Sequence, residues 1–315
     1  MKKIIFIFLS IILVYSYYSN RNTIQEIETI NTKLASNDTR VNNNIKIGDN
    51  KAYVISNIGK PSRIDYSEYN FKWYVYNEDL NKFAMVGIEE DNVVALYSNG
   101  IDSNEIDIRL NSNRDFVREK YSPLEYKKKG NTRYVINSDD QYDILDIGKN
   151  YVTVFYDIHE DNKVCGYQII SKKAESTLNG IYPQGNDRLQ ESFEAQTKDL
   201  VNTERTKNNL NILSYSEKAT TSSRKHSEDM MIKNYFDHTN KENKSPFDRM
   251  EEEGINYKNA GENIAAGQSS AIYAHHAWMN SLGHRKNILG DYKYIGVGVI
   301  FGGYYNIYYT QNFYT

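Results

Sequence analysis

A single cysteine, Cys165, stands in a chain of 315 residues, so the chain can form neither an internal disulfide nor a multi-cysteine metal cluster. Four prolines are too few for a proline-rich stalk. Neither sign of charge dominates: 38 basic residues face 41 acidic ones for a net charge of −3, which lacks the footprint of a nucleic-acid binder. Beyond one N-terminal stretch, no segment approaches the roughly 20 apolar residues that cross a bilayer. Tyrosine is plentiful, with 28 copies that dominate the aromatic content and supply large areas for burial. Charged residues make up 25%, an ordinary globular value, and the length suits two domains of roughly 150 residues each.

The exceptional stretch opens the chain. Lys2 and Lys3 precede an apolar run from Ile4 to Tyr15, interrupted by Ser10. That run has the length of a signal-peptide core and is short for a span. Val14 and Ser16 could direct cleavage, whereas Tyr15, Tyr17 and Tyr18 suit an uncleaved anchor. Residues 1–18 therefore read as a signal peptide or membrane anchor, and export follows from either. Residues 19–45 are polar and Asn/Thr-rich, a tether.

The chain then repeats. Residues 90–97 (EDNVVALY) return as 160–167 (EDNKVCGY), and YVISNIGKP ending at Pro61 echoes FVREKYSP ending at Pro123. Each copy runs helix, proline-marked turn and aromatic strands such as FKWYVY (71–76) and YVTVFY (151–156), with EDN at the hairpin turns. This predicts a duplicated α+β domain over 46–172, with repeats at 46–100 and 108–172. Cys165 aligns with Ala95 and reads as a small buried strand residue. Asp139, Asp140, Asp143 and Asp146 lack the calcium-loop pattern and read as a solvated loop.

Residues 173–187 carry Gly, Pro and Asn and predict a linker. Beyond it, Leu189, Phe193, Leu200 and Val201 share one helical face, as do Ala219, Ser223, His226 and Met230 in a second helix. A third is punctuated by Ser245 as N-cap, Pro246 at its first position and Gly254 past its end. A fourth starts near Ser269 or Ser270 and carries His275, His276, Trp278 and Met279. The C-terminus predicts a hairpin, YIGVGVIF (294–301) and YYNIYYTQNF (304–313), turning at Gly302-Gly303. Alternation would place half of Tyr304, Tyr305, Tyr308 and Tyr309 in the core.

Of six histidines, only His159 lies outside residues 226–284, which makes the second half the functional candidate. His238 (YFDHTN), Glu262 (AGENIAAG) and His284 (SLGHRKNIL) sit beside helix-ending or glycine-containing sequence, separated by 24 and 22 residues. Neither a zinc-protease helix motif nor a serine nucleophile elbow is present. His226 reads as a core histidine, one of His275 and His276 as solvent-facing, and Asn263, Arg285 and Asn287 as loop braces.

These residues carry a family resemblance. LVNTER (200–205), KHSEDM (225–230), YFDHT (235–239), SPFDRM (245–250), AGENIAAG (260–267), WMNSLGHRKNIL (278–289), YIGVGV (294–299) and YYTQNF (308–313) look like a bacterial CAP domain. That superfamily is named for cysteine-rich secretory, antigen 5 and pathogenesis-related proteins. The repeated region before it, starting IKIGDNKAYVISNIGKPSRIDYS, resembles the CAP-associated N-terminal domain of Gram-positive exported proteins. For 188–315 the resemblance implies an α-β-α sandwich with a central antiparallel sheet and a cleft holding two His and two Glu. His238 matches the first His, Glu262 the Glu of the G-E-N motif and His284 the second His. The other Glu falls at Ser281, so the tetrad becomes a triad.

Two imidazoles suit zinc or another divalent metal, with His238 and His284 as ligands; Glu262 could instead polarise a His as a general base. The same groups could serve as a structural hydrogen-bond network. The leading expectation is an exported, non-enzymatic module whose cleft (His238, Glu262, Asn263, His284) takes a small or lipidic ligand or an envelope component. It meets the membrane only through its N-terminal segment. A metal-assisted peptidase and a structural envelope or spore protein are the alternatives.

Overall fold

The computed structural model describes residues 44–315. The expected signal or anchor at 1–18 and nearly all of the tether at 19–45 lie outside the described residues. The first half runs α1 (Lys51–Ile58), β1 (Arg63–Tyr66), β2 (Lys72–Tyr76), β3 (Ala84–Glu89), β4 (Asn92–Ser98), α2 (Arg114–Lys120), β5 (Tyr126–Lys129), β6 (Thr132–Val135), β7 (Tyr142–Ile147), β8 (Asn150–Asp157) and β9 (Lys163–Ser171). The short α3 (Lys172–Glu175) leads to α4 (Asp187–Lys207), β10 (Ser214–Tyr215), α5 (Glu217–Ile232), α6 (Pro246–Glu252), β11 (Ala260–Ala266), α7 (Ala271–Met279), α8 (Leu282–Ile288), β12 (Tyr294–Phe301) and β13 (Ile307–Tyr314).

One antiparallel sheet organises the first half, in the order β1-β2-β3-β4-β9-β8-β7. The two halves of the expected repeat therefore share one sheet, meeting where β4 pairs with β9, and do not form separate units. Asn50 and Asn113 cap α1 and α2, their side chains accepting from Ala52 and Asp115 backbone N–H groups. The EDN segments do fall at hairpin turns. Glu90 and Asp91 take left-handed φ of 47° and 62°, and Asp161 and Asn162 of 56° and 54°, as tight hairpin turns require. The second connection is longer, joining Asp157 to Lys163 where the first joins Glu89 to Asn92. This slides the frame, so Cys165 matches the bulge residue Val94 rather than Ala95. Cys165 is half-buried, and desolvation pushes its thiol pKa up, which leaves little nucleophilic thiolate.

The aspartate expectation needs correcting. Asp143 sits inside β7, buried, and accepts from Arg118 Nε and Nη2 at 2.9 and 2.8 Å and from Tyr156 Oη at 2.9 Å. Asp146 pairs with Lys172 and Asp140 with Arg118. A carboxylate so deep in a strand persists because its lone pairs are satisfied.

Strand alternation explains how the halves join. Val86, Leu96, Val152, Val154 and Ile169 point to a core closed by Val54 of α1 and Val117 of α2. Their neighbours Trp73, Val75, Met85, Tyr97 and Phe155 point the other way, into a core shared with Leu200 of α4 and Ile272 of α7. Both sheet faces are thus apolar, one covered by its own helices and the other by helices of the second half. Polar bonds pin the seam: Arg63 Nη2 and Asn77 Nδ2 donate to Asp199 Oδ2 at 2.7 and 3.0 Å, and Asn280 bonds Tyr156 O and Ile158 N.

The second half is the expected α-β-α sandwich. Its sheet runs β10-β12-β13-β11, antiparallel except for β10 with β12. On one face lie α4, α7 and α8, with Phe193, Val201, Trp278 and Ile288 in the core. On the other, α5 lies so close to β12 that a Cβ on Gly296 or Gly298 would meet helix backbone at 2.2 or 2.1 Å. Ser245 forms a capping box with Asp248 ahead of Pro246, as expected.

The C-terminal hairpin turns through five residues, 302–306, rather than two glycines, with Gly302, Gly303 and Asn306 all at positive φ. Tyr304 and Tyr305 lie in that turn and are exposed, while Tyr308 and Tyr309 are both fully buried. Alternation fails to sort them because helices cover both faces of this sheet.

Candidate functional site

The sequence placed Glu262 beside a loop; the structure places it in β11, the edge strand of the second sheet. Neighbouring side chains on a strand point to opposite faces. Glu262 therefore turns towards α5 and α6, and Asn263 towards α8. The residues expected in the cleft lie at this edge of the sheet.

Glu262 is the buried hub. Its side chain is 1% exposed, and Arg249 Nη2 of α6 donates to its Oε2 at 2.7 Å. His238 Nδ1 lies 2.8 Å from Oε1. A carboxylate paired with Arg249 accepts, so Nδ1 of the imidazole is the donor in this bond. The His238 side chain is 47% exposed. His226 of α5, fully buried, approaches Oε1 at 3.9 Å and bonds Asp237 O at 3.0 Å through Nε2. Its Nδ1 has no partner, and desolvation lowers its pKa to about 4.

Arg249 also donates to His238 O at 2.8 Å and Lys244 O at 2.9 Å, clamping the 238–244 loop to the strand. On the other face, Asn263 Nδ2 donates to His284 O at 3.2 Å and Gln311 Oε1 at 3.1 Å. Asn287 Nδ2 donates to Glu262 O and Asn263 Oδ1 at 3.1 and 2.9 Å. These bonds dock α8, and with it His284, against the edge. His284 is half-buried, with its Nδ1 shielded and unpartnered. Desolvation first and the nearby His238 second lower its pKa, favouring the neutral ring.

The structure thus gathers His238, Glu262, Asn263 and His284. It adds Arg249, which sequence reasoning quoted within SPFDRM but did not single out; an arginine one turn past a capping box carried no other signal. Ser281 serves as the N-cap position of α8 without a side-chain capping bond. Asn287 braces as expected, whereas Arg285 reaches Asp157 of the first half at 2.7 Å. The expectation that one of His275 and His276 faces solvent is wrong: both are buried. His276 stacks on Phe155 at 4.0 Å and bonds Tyr97 Oη at 3.1 Å across the seam.

As a metal centre the donor set is short. Arg249 and His238 Nδ1 take both oxygens of Glu262, leaving two imidazoles, and zinc sites use three or four protein ligands. Among the described residues no group of three or more His, Cys, Asp and Glu is arranged to hold a metal. The set fits a two-histidine site at most.

Comparisons with known proteins agree with this architecture. The family model described as CAP-associated N-terminal matches residues 47–181, and that of the cysteine-rich secretory protein family matches 198–313. The chain is 31% identical over 289 residues to the Bacillus subtilis "Uncharacterized membrane protein YlbC", covering 85% of this chain and 82% of the relative. It is 48% identical over 113 residues to B. subtilis "Uncharacterized protein YkwD", covering 36% of this chain and 44% of the relative. A solved extracellular protein containing an SCP domain from Bacillus anthracis superposes with a TM-score of 0.72 at 27% identity, over 85% of this chain and 93% of that one. A cysteine-rich secretory protein from Staphylococcus aureus shares the fold at 0.68 and 16% identity, over 85% and 91%. The chain belongs to the cysteine-rich secretory protein family, its CAP domain preceded by a CAP-associated N-terminal region.

Proposed function

We propose that this is an exported CAP protein that holds a ligand in the edge cleft through neutral imidazoles and does not catalyse a reaction. The observation that carries the reading is the commitment of Glu262. With one oxygen on Arg249, the other on His238 and its side chain 1% exposed, it is held by two donors and closed off from solvent, a poor base towards water or substrate. Among the described residues no serine or cysteine side chain is hydrogen-bonded to the ring of His238 or His284. What the cleft offers is an oriented Nε2 on His238 with His284 next to it. Ligands with a hydrogen-bond donor, small or lipidic, suit that surface. Export is supported by the relatives, one named as extracellular and one as a membrane protein, and by the N-terminal apolar run. Among the described residues no helix is long and apolar enough to cross a membrane.

A second reading has one specific support. A carboxylate on one ring nitrogen of a histidine is the usual outer shell of a metal ligand, and Glu262 stands so to His238. A divalent cation would then rest on His238 and His284, with water completing its shell. Calorimetric titration of the full chain with zinc, beside a His238→Ala/His284→Ala variant checked by circular dichroism, separates the readings. Micromolar binding lost in the variant favours the metal. A hydrolysis screen over peptides and glycans tests the first claim: turnover that vanishes in His284→Ala while the fold survives would overturn the non-catalytic reading.

A further inference from the structure

A cavity lies at the seam between the two halves, and none of His238, Glu262, Asn263 and His284 lines it. It measures about 410 Å³, within the size of small-molecule sites, which favour domain interfaces. Its walls come from both halves: β6 and the segment after it, the 175–182 stretch beyond α3, and the Gly267–Ser269 turn ahead of α7. Neither half alone would form it.

Rings line the floor. Tyr142, Phe155 and Tyr273 meet edge to face or tilted, at 5.2 to 6.0 Å between centroids. Tyr134 and Tyr182 stand at the walls. The Tyr182 hydroxyl is anchored to Gly267 O at 2.7 Å, fixing the wall across the seam. Lys127 and Lys129 share the Glu175 carboxylate at 3.0 and 3.3 Å, Tyr69 Oη donates to it at 2.6 Å, and Asp139 also lines the cavity. The two lysines, Glu175 and Asp139 together carry no net charge. One acceptor is left over: Gln268 is a lining residue, and its Oε1, shielded from solvent in the unliganded protein, has no protein partner. A shielded acceptor without a donor is costly, and a bound donor would remove that cost.

Flat tyrosine faces, amide and hydroxyl groups and no unbalanced charge make a specific combination. A sugar ring offers C–H groups to the negative face of an aromatic ring and hydroxyl or acetamido N–H donors at its edge. The geometry points to a second ligand site of this protein: the seam cavity binds a short neutral sugar chain, stacked on its tyrosines, with a donor on Gln268. The site is independent of the cleft and does not rest on the function proposed for it.

The test uses the full chain and tetra-N-acetylchitotetraose as the probe, with binding followed by calorimetry and saturation-transfer NMR. Wild type binds, Tyr134→Ala and Gln268→Ala each weaken binding by about tenfold or more, and His238→Ala leaves it unchanged. Neither Tyr134 nor Gln268 is fully buried, so thermal melts of these variants should match wild type. If either variant misfolds, the other still decides. Absence of binding at millimolar probe overturns the proposal, as does binding that both variants retain. A neutral peptide of similar length that binds more tightly than the sugar also overturns it.

Discussion

Two pairs of histidines in one domain show what burial does and what it does not do. His276 lies in the seam against Phe155 and Tyr97, and His275 beside it is buried within the second half. Desolvation depresses both, His275 to about 4, and both ring nitrogens of His275 lack partners. His238 and His284 lie at the open edge of β11. There Glu262 fixes one nitrogen of His238 and leaves the other facing out. Burial makes a histidine neutral and inert; a carboxylate on one side makes it directional. His276 ties the two halves together, and the edge pair keeps its rings at an open strand edge.

The sharpest way to break this contrast is to remove the cation paired with Glu262. Arg249→Met should cost about 3–5 kcal/mol, because it strands a buried carboxylate. Urea unfolding measures the loss, and adding Glu262→Leu should recover much of it. On the seam side, His276→Ala removes a ring stacked on Phe155 and should cost about 2–5 kcal/mol. Calorimetric scans should then show the two halves melting apart instead of together.

Acid acts through the buried histidines. The folded values of His226, His275 and His276 lie below the unfolded one. Between pH 6.5 and about 4 the unfolded chain therefore binds protons that the folded chain does not. Stability is complete above 6.5 and falls as pH drops towards 4, by up to about 1.4 kcal/mol per pH unit for each histidine. His275→Gln should flatten that slope in urea titrations. The smallest effect belongs to the open edge: His238→Ala should cost about 1 kcal/mol, since it takes one donor from Glu262 while its own ring is half in water.

Much of this was legible in the chain. Ser245-Pro246 and Gly254 punctuated α6, and the family motifs brought His238, Glu262 and His284 to one cleft. Glu262 was read beside a loop because AGENIAAG is glycine- and alanine-rich and lacks alternation; a strand between two helical layers needs none. The same double coverage hid the burial of both Tyr308 and Tyr309. His275 and His276 were misjudged for a related reason. Helix periodicity shows which side of α7 faces its own sheet, but the other side is covered by the first half, and no local pattern records that. Arg249 escaped because a buried arginine is recognised by its carboxylate, which lies 13 residues away.

The most direct test of Glu262 as an orienting anchor is the protonation state of His238, read by long-range 1H–15N correlation of the histidine side chains in wild type and Glu262→Gln. In wild type, neutral His238 should carry its proton on Nδ1 with Nε2 bare, and the variant should lose that preference. A wild-type His238 with its proton on Nε2, or one already averaging between tautomers, would contradict the anchor and with it the ligand-holding edge.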